Sequence, residues 1–83
     1  MKKTTLKKEY KIKIGENILC WRNLKGIKQA DLAKRIDRCP GALSNIENGV
    51  SIPNIEIIED IANALKIEVA QLLVNPQQHF AQS

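Results

Sequence analysis

Cysteine and histidine are the residue types that most often hold a metal ion or do redox chemistry, and this chain of 83 residues has two cysteines and one histidine. A tetrahedral zinc site needs four protein ligands, or three ligands and a water. His79 lies in a polar C-terminal stretch, far in sequence from Cys20 and Cys39. Two cysteines are also too few for a disulfide framework. We therefore expect no metal and no cofactor.

The chain also lacks the combinations of residues that catalysis needs. No nucleophile, base and orienting residue recur together, and no glycine-rich loop that could hold phosphate groups is present. The sequence thus predicts a protein that is not an enzyme. No apolar run approaches the roughly 20 residues that cross a bilayer, and the lysine-rich start lacks the apolar stretch of a secretory signal. We expect a cytoplasmic protein.

Positive charge is concentrated in the first half of the chain. The net charge is +4; residues 1–14 carry six lysines against Glu9, whereas residues 50–83 carry one lysine against four acidic residues. An acidic partner should therefore bind the first half, and nucleic acid is the obvious one. The alternative is that the lysines only keep the chain soluble.

Apolar spacing predicts short helices. Ile14, Ile18 and Trp21 recur at i, i+4 and i+7, which indicates one face of a helix that stops at Gly26. Residues 10–14 alternate apolar residues with lysines, so a short strand and an early helical turn both fit there. Further helices are expected from about Gln29, from Pro40 through Asn48, after the N-cap Asn54, and over 68–73. Their inward residues would be Leu32, Ala33, Ile36, Leu43, Ile46, Ile55, Ile58, Ile61, Ala62, Leu65, Val69, Leu72 and Leu73.

The chain is expected to divide into three parts. These are a flexible basic arm over residues 1–13, one helical domain over 14–74 with a two-helix motif at 29–48, and a disordered polar tail over 75–83. Within the motif, two helices separated by three or four residues can cross steeply only over a small side chain, which Ala33 supplies. The turn often needs a residue with positive φ, and Asp37 tolerates that conformation.

Residues 18–73 resemble the Cro and phage-repressor type of helix-turn-helix domain, the XRE family. The residues that carry the resemblance lie in all the predicted helices, and the run from Glu47 through Gly49 to Pro53 is the most specific. The others are Ile18, Trp21, Arg22, Gly26, Ile27, Gln29, Leu32, Ala33, Ile36, Leu43, Ser44, Ile46, Asn48, Ile61, Ala62, Ala64 and Leu65.

The resemblance implies an all-α fold, a compact bundle of four to five helices of the lambda-repressor-like DNA-binding type. It implies a recognition helix over 40–48 that lies in the DNA major groove. Base-reading positions would be Gln29, Gly41, Ala42, Ser44 and Asn45, with Pro40 also facing the groove. Phosphate contacts would come from Lys28, Lys34, Arg38 and Asn48, and from the arm residues Lys2, Lys3, Lys7 and Lys8. Arg22 and Glu47 would form a structural ion pair.

The function implied is a sequence-specific, double-stranded DNA-binding regulator of transcription, a repressor that binds as a dimer. Apolar residues outside the core face of the fourth helix and near the C-terminus predict a dimer interface through the fourth and fifth helices: Ile57, Val69, Leu73 and Val74. The chain departs from the family at Pro40-Gly41-Ala42, where long polar side chains usually read bases. An alternative is therefore a protein-interaction module on the same fold, such as an antitoxin or a regulator's partner, with weakened base reading.

Cys39 is expected at the N-cap of the recognition helix, where relatives commonly have Ser or Thr. A thiol is a weak hydrogen-bond acceptor and caps a helix poorly. Tolerated replacement of serine is the preferred interpretation, and redox sensing by a thiolate is the alternative.

Overall fold

The computed structural model describes the backbone of residues 3–74 and the side chains of residues 13–74. Five helices occupy this part of the chain, and no strand occurs in it. They are α1 (Lys3–Leu24), α2 (Gln29–Arg35), α3 (Pro40–Glu47), α4 (Ile55–Leu65) and α5 (Val69–Leu72). The predicted all-α bundle is therefore confirmed. The tail expected over 75–83 lies outside the described residues.

Helix α1 begins at Lys3, well before the start at Ile14 that apolar spacing predicts. The arm expected over residues 1–13 thus differs from the structure, in which residues 3–13 are the first half of a helix. This stretch contains no Pro or Gly and is rich in Lys, with Leu and Glu, all good helix formers. Extending an existing helix needs no new nucleus, and residues 3–13 contain nothing that would interrupt it. The helix therefore continues from Ile14 back to Lys3. The strand considered for residues 10–14 is not formed.

The helices end and begin where the sequence provides caps. Gly26 follows α1 with a φ of 70°, a left-handed conformation that glycine adopts without steric cost. The Asn54 side chain accepts a hydrogen bond from the Ile57 backbone N–H at 2.8 Å, which caps α4. Lys66 ends α4 with a φ of 60°, although only a glycine or asparagine would signal such a position in sequence.

The core lies where the apolar faces of all five helices meet. Its fully buried side chains include Ile18 of α1, Leu32 of α2, Leu43 of α3, Ile61 and Leu65 of α4, and Leu72 of α5. Most inward positions predicted from the sequence are buried. Ile55 is an exception, since 65% of its surface is exposed at the first turn of α4. Leu73 is another, because it follows the end of α5 and is 48% exposed.

Trp21 links α1 to the C-terminal end of the described chain. Its indole Nε1 donates to the carbonyl of Gln71 at 2.9 Å and to that of Val74 at 3.0 Å. The ring is otherwise buried, with 6% of its surface exposed. The last turn of the described chain is therefore held on α1 by a polar contact as well as by apolar packing.

Candidate nucleic-acid interface

Helices α2 and α3 are joined by a tight turn that fixes the angle between them. Asp37 has a φ of 59°, as its place in the turn predicts. The Arg38 backbone N–H donates to the carbonyl of Ala33 at 2.9 Å, which closes the turn onto α2. Ala33 itself is completely buried. A larger side chain there would separate the two helices, so the small residue sets how α3 projects from the fold.

Helix α3 has a buried face and an exposed face. Leu43 and Ile46 are buried, whereas Gly41 and Asn45 are exposed. Ala42 and Ser44 are half-buried at the edge of the exposed face, and Pro40 is exposed at its start. The residues expected to read bases on α3 therefore share one accessible side of this helix.

The start of α3 has few polar side chains of its own. Cys39 is the N-cap residue, as expected, and its side chain makes no capping hydrogen bond. A Cβ atom added at Gly41 would meet no heavy atom within 4 Å, so packing within the protein does not require glycine there. This end of α3 is open, and its backbone is covered only by short side chains.

The other end of α3 is tied into the core through Glu47. The Glu47 Oε2 accepts from Arg22 Nε at 2.8 Å, and Oε1 accepts from Arg22 Nη2 at 3.1 Å. The two side chains are 4% and 11% exposed, respectively. Arg22 Nη1 also donates to the carbonyl of Ile27 at 3.0 Å. This bidentate pair links α1, the start of the α1–α2 loop and α3.

Gln29 belongs to the same cluster. Its Nε2 donates to Glu47 Oε1 at 2.9 Å, although the sequence indicated only an outward contact for this side chain. Ser44 and Asn48 are also linked, since Asn48 Nδ2 donates to Ser44 Oγ at 3.2 Å. Three of the residues expected at the interface are therefore engaged in side-chain hydrogen bonds within the protein before any ligand is bound.

Gly15 is a structural residue that the sequence analysis did not single out. It lies in α1 directly against the last turn of α3. A Cβ atom there would lie 2.7 Å from the carbonyl oxygen of Glu47 and closer still to that of Ile46. Real Cβ atoms do not come that close to a backbone oxygen, so the contact requires glycine. A glycine inside an apolar helical pattern is the signal that could have indicated it.

Two of the basic residues expected to contact phosphates lie beside the open end of α3. Lys28, Lys34 and Arg38 are all exposed, but only Lys34 and Arg38 line a shallow depression between α2 and the start of α3. Arg35 points elsewhere, since its Nη1 donates to the carbonyl of Ala64 at 3.2 Å. Lys2 and the side chains of Lys3, Lys7 and Lys8 lie outside the described part of the structure.

The residues expected at a dimer interface divide into two pairs. Ile57 and Val69 are half-buried and pack against the protein's own core. Leu73 and Val74 are 48% and 46% exposed. Two further apolar side chains are exposed and were not among the predicted interface residues. Val50 in the loop after α3 is 63% exposed, and Ile55 at the start of α4 is 65% exposed.

Other kinds of site find no support in the part of the chain that the structure describes. Residues 13–74 contain no group of three or more His, Cys, Asp or Glu side chains placed to hold a metal ion. Among the described helices, none combines the length and apolar character needed to cross a bilayer.

This arrangement of helices, turn and exposed α3 face is that of a helix-turn-helix protein, and the chain belongs to the helix-turn-helix family, whose model matches residues 21–72. It is similar to YazB of Bacillus subtilis (strain 168), described as an uncharacterized HTH-type transcriptional regulator. The two are 36% identical over 58 residues, which cover 70% of this chain and 84% of that protein. The XRE-type family expected from the sequence is thereby confirmed. Proteins of this family are DNA-binding regulators and not enzymes, in agreement with the prediction.

Two solved structures are similar in fold. The clp gene regulator ClgR from Corynebacterium glutamicum superposes with a TM-score of 0.78 at 26% identity, covering 88% of this chain and 78% of that one. The hypothetical transcription factor NHTF from Neisseria superposes with a TM-score of 0.79 at 25% identity, covering 92% and 85%.

Proposed function

We propose that this protein is a sequence-specific repressor of transcription that binds double-stranded DNA with α3 in the major groove. The observation that carries the proposal is the exposed side of α3, where Gly41 and Asn45 are accessible while Leu43 and Ile46 on the other side are buried. An α-helix fits the major groove, where each base pair offers a distinct pattern of donors and acceptors. The relative in B. subtilis is named as a transcriptional regulator, and ClgR as a gene regulator.

Affinity in this proposal comes mainly from phosphate contacts. Lys34 and Arg38 lie beside the open end of α3, Lys28 is exposed just before α2, and Asn48 follows the other end of α3. Lys2, Lys3, Lys7 and Lys8 would add contacts from the start of the chain. Each phosphate that the protein neutralises steepens the fall of the logarithm of the binding constant with the logarithm of salt concentration by about 0.9. We also propose a cytoplasmic location.

Base reading in this proposal depends chiefly on Asn45. Its amide can make a bidentate contact with adenine, which contributes about 1–3 kcal/mol of discrimination. Gln29 and Ser44 are the other candidates for hydrogen bonds to bases. Gly41 and Ala42 offer no hydrogen-bonding side chain, although the Ala42 methyl can pack against a thymine methyl. With so few direct contacts, the shape of the DNA site should contribute to recognition.

We propose a homodimer that uses Leu73 and Val74, with Ile57 and Val69 at the edge of the contact. Helix-turn-helix proteins bind two half-sites one helical turn, about 34 Å, apart. Val74→Ser should shift sedimentation toward the monomer, whereas the matched control Val50→Ser should leave the distribution of species unchanged. If Val50→Ser shifts sedimentation toward the monomer and Val74→Ser does not, the dimer interface includes Val50 and not Val74.

A second candidate function is a protein-interaction module that has lost most base reading. It is favoured by the short side chains of Pro40, Gly41 and Ala42 and by the exposed apolar side chains of Val50 and Ile55. Such a module would bind a partner protein with little or no preference among DNA sequences.

A gel-shift titration against genomic fragments at two salt concentrations distinguishes the two candidates. The regulator should shift a small subset of fragments at low protein concentration and keep that preference at the higher salt. Asn45→Ala should lose the preference, and Asn63→Ala, an exposed asparagine on α4, should keep it. Equal binding of all fragments, abolished by salt, would support the interaction module instead.

A further inference from the structure

Glu47 joins the fold to the proposed interface through a single carboxylate. Its Oε1 accepts two hydrogen bonds, from Arg22 Nη2 at 3.1 Å and from Gln29 Nε2 at 2.9 Å. Its Oε2 accepts from Arg22 Nε at 2.8 Å. Arg22 belongs to α1 and is buried, whereas Gln29 is the first residue of α2 and is half-exposed. The carboxylate is thus shared between a buried cation and a surface amide.

The shared carboxylate determines which way the Gln29 amide points. An ionised carboxylate only accepts hydrogen bonds. The Nε2 end of the amide must therefore face Glu47, because a flipped amide would place Oε1 against a negatively charged oxygen. One Nε2–H is used in this contact. Among the described residues no other hydrogen bond to this side chain occurs, so the second Nε2–H and Oε1 remain for a ligand.

We infer that Glu47 is a positioning residue for DNA binding, which holds the Gln29 side chain in one orientation so that its second Nε2–H donates to the DNA. The inference rests on the function proposed above, and it adds a role in binding to the structural role that the family resemblance implies for Glu47. A glutamine on an open helix start samples many rotamers. Immobilising one such side chain on binding lowers affinity by roughly twofold to tenfold. Because Glu47 already holds the Gln29 side chain before DNA binds, part of this loss of affinity is avoided.

The ion pair also makes the arrangement compatible with a phosphate surface. A lone carboxylate next to phosphates would repel them. Here the charge of Glu47 is balanced by Arg22 in a bidentate contact, and only 4% of the Glu47 side chain is exposed. The donor of Gln29 can therefore approach DNA without an uncompensated negative charge behind it.

Two substitutions separate positioning from folding. Gln29→Met keeps an unbranched chain of similar length and removes the amide, while Arg22 and Glu47 stay paired. Glu47→Asp keeps the negative charge and withdraws the carboxylate by one methylene from both Arg22 and Gln29. Measuring it in the parent and in the Gln29→Met background isolates the part of its effect that acts through Gln29. Both are measured on folded protein, as judged by Trp21 fluorescence, with a duplex of about 20 base pairs that contains two half-sites. Asn63→Ala serves as the control.

The expected result is non-additive. Gln29→Met should weaken DNA binding by about tenfold and Glu47→Asp by about threefold, and the double variant should bind like Gln29→Met alone. Asn63→Ala should bind like the parent. If Glu47→Asp weakens binding equally in both backgrounds, Glu47 acts through the fold and the inference is overturned.

Nuclear magnetic resonance of the parent protein gives a second test that does not depend on any variant folding. Without DNA, one of the two Gln29 side-chain amide protons should exchange with solvent more slowly than the other, and more slowly than those of Asn63. The duplex should then slow the faster Gln29 proton. Two Gln29 protons that exchange as fast as those of Asn63 would contradict the orientation. If one Gln29 proton exchanges slowly as predicted but the protein binds no DNA, the proposed function is rejected, and the role of Glu47 in binding is rejected with it.

Discussion

The two ends of α3 differ in burial and in hydrogen bonding. At the C-terminal end, Ile46 and Glu47 are buried, and Glu47 is held by three hydrogen bonds from α1 and α2. At the N-terminal end, Gly41 is exposed, and the Cys39 side chain makes no capping bond. No buried side-chain nitrogen or oxygen among the described residues lacks a partner. The polar groups that remain available for a ligand therefore lie on the surface.

This difference shows how a small domain can hold a helix rigidly and still leave one end free for binding. The buried carboxylate of Glu47 determines where α3 points, and the exposed side of the helix determines what it contacts. Loss of the Glu47 carboxylate should therefore have the largest effect on stability, and loss of the Asn45 amide should chiefly affect DNA binding. Small changes at Cys39 and Gly41 should alter stability only slightly. The predictions below test that division, and they run from the largest expected effect to the smallest.

Glu47→Ala should lower the free energy of unfolding by about 3–5 kcal/mol, because Arg22 would keep a buried charge without its partner. Denaturant unfolding followed by the fluorescence of Trp21, the only tryptophan of the chain, measures this loss. Asn45→Ala, two residues earlier on the exposed face, should change stability by no more than about 0.5 kcal/mol. An unchanged midpoint for Glu47→Ala would show that the ion pair does not hold α3 in place.

Asn45→Ala should instead reduce discrimination between the preferred base pair and others by about 1–3 kcal/mol at one position of the DNA site. Competition binding with single-base variants of the site measures this, and Asn63→Ala is the matched control on α4. If Asn45→Ala keeps the parent's ratio of specific to random binding, Asn45 does not read a base.

Gly15→Ala and Gly41→Ala should have opposite effects on stability. At Gly15 a Cβ atom would lie 2.7 Å from the Glu47 carbonyl oxygen, so α1 and α3 must separate, at a cost of about 1–3 kcal/mol. At Gly41 nothing lies within 4 Å of a Cβ atom, and alanine should stabilise the helix by about 0.5–1 kcal/mol. The midpoints of thermal unfolding of the two variants, compared with that of the parent, measure both changes in stability. A stabilising Gly15→Ala would mean that the helices are not in contact there.

Cys39→Ser should give the smallest change. A serine hydroxyl can accept a hydrogen bond from the first turn of α3, so stability should rise by about 0.5–1 kcal/mol, and DNA binding should stay undiminished. The comparison is made with and without peroxide. If peroxide weakens DNA binding by the parent protein and has no effect on Cys39→Ser, the thiol is a sensor and not a tolerated replacement for serine.

Local signals were sufficient to predict most of this fold. Apolar spacing gave the buried faces of α2 and α3, and the short turn with Ala33 and Asp37 predicted how they are joined. The start of α1 was missed because charged residues and an alternating pattern hid a stretch with no helix breaker. Ile55 was misplaced because its spacing fits the apolar face of α4 although it begins the first turn, beyond the core.

The candidate site was less accessible to sequence reasoning, because its important contacts join residues that are distant along the chain. A glycine within a helical pattern marks Gly15 as unusual but does not show that α3 packs against it. No local pattern indicates the hydrogen bond between Gln29 and Glu47. Hydrogen bonds between side chains depend on rotamers and on the angle between helices, which apolar spacing does not encode. Spacing and resemblance therefore indicate which residues form the exposed face, but not which of them are already hydrogen-bonded to each other.

Alkylation of Cys39 tests most directly whether the open end of α3 is the end that meets DNA. The thiol is exposed at the start of α3, and its rate of alkylation can be followed by peptide-resolved mass spectrometry with and without saturating DNA. A second exposed thiol, introduced by Asn63→Cys, reports a position on another helix, α4, in the same sample. We predict that DNA strongly slows alkylation at the start of α3 and leaves the rate on α4 unchanged. An unchanged rate at Cys39 with bound DNA would contradict the account.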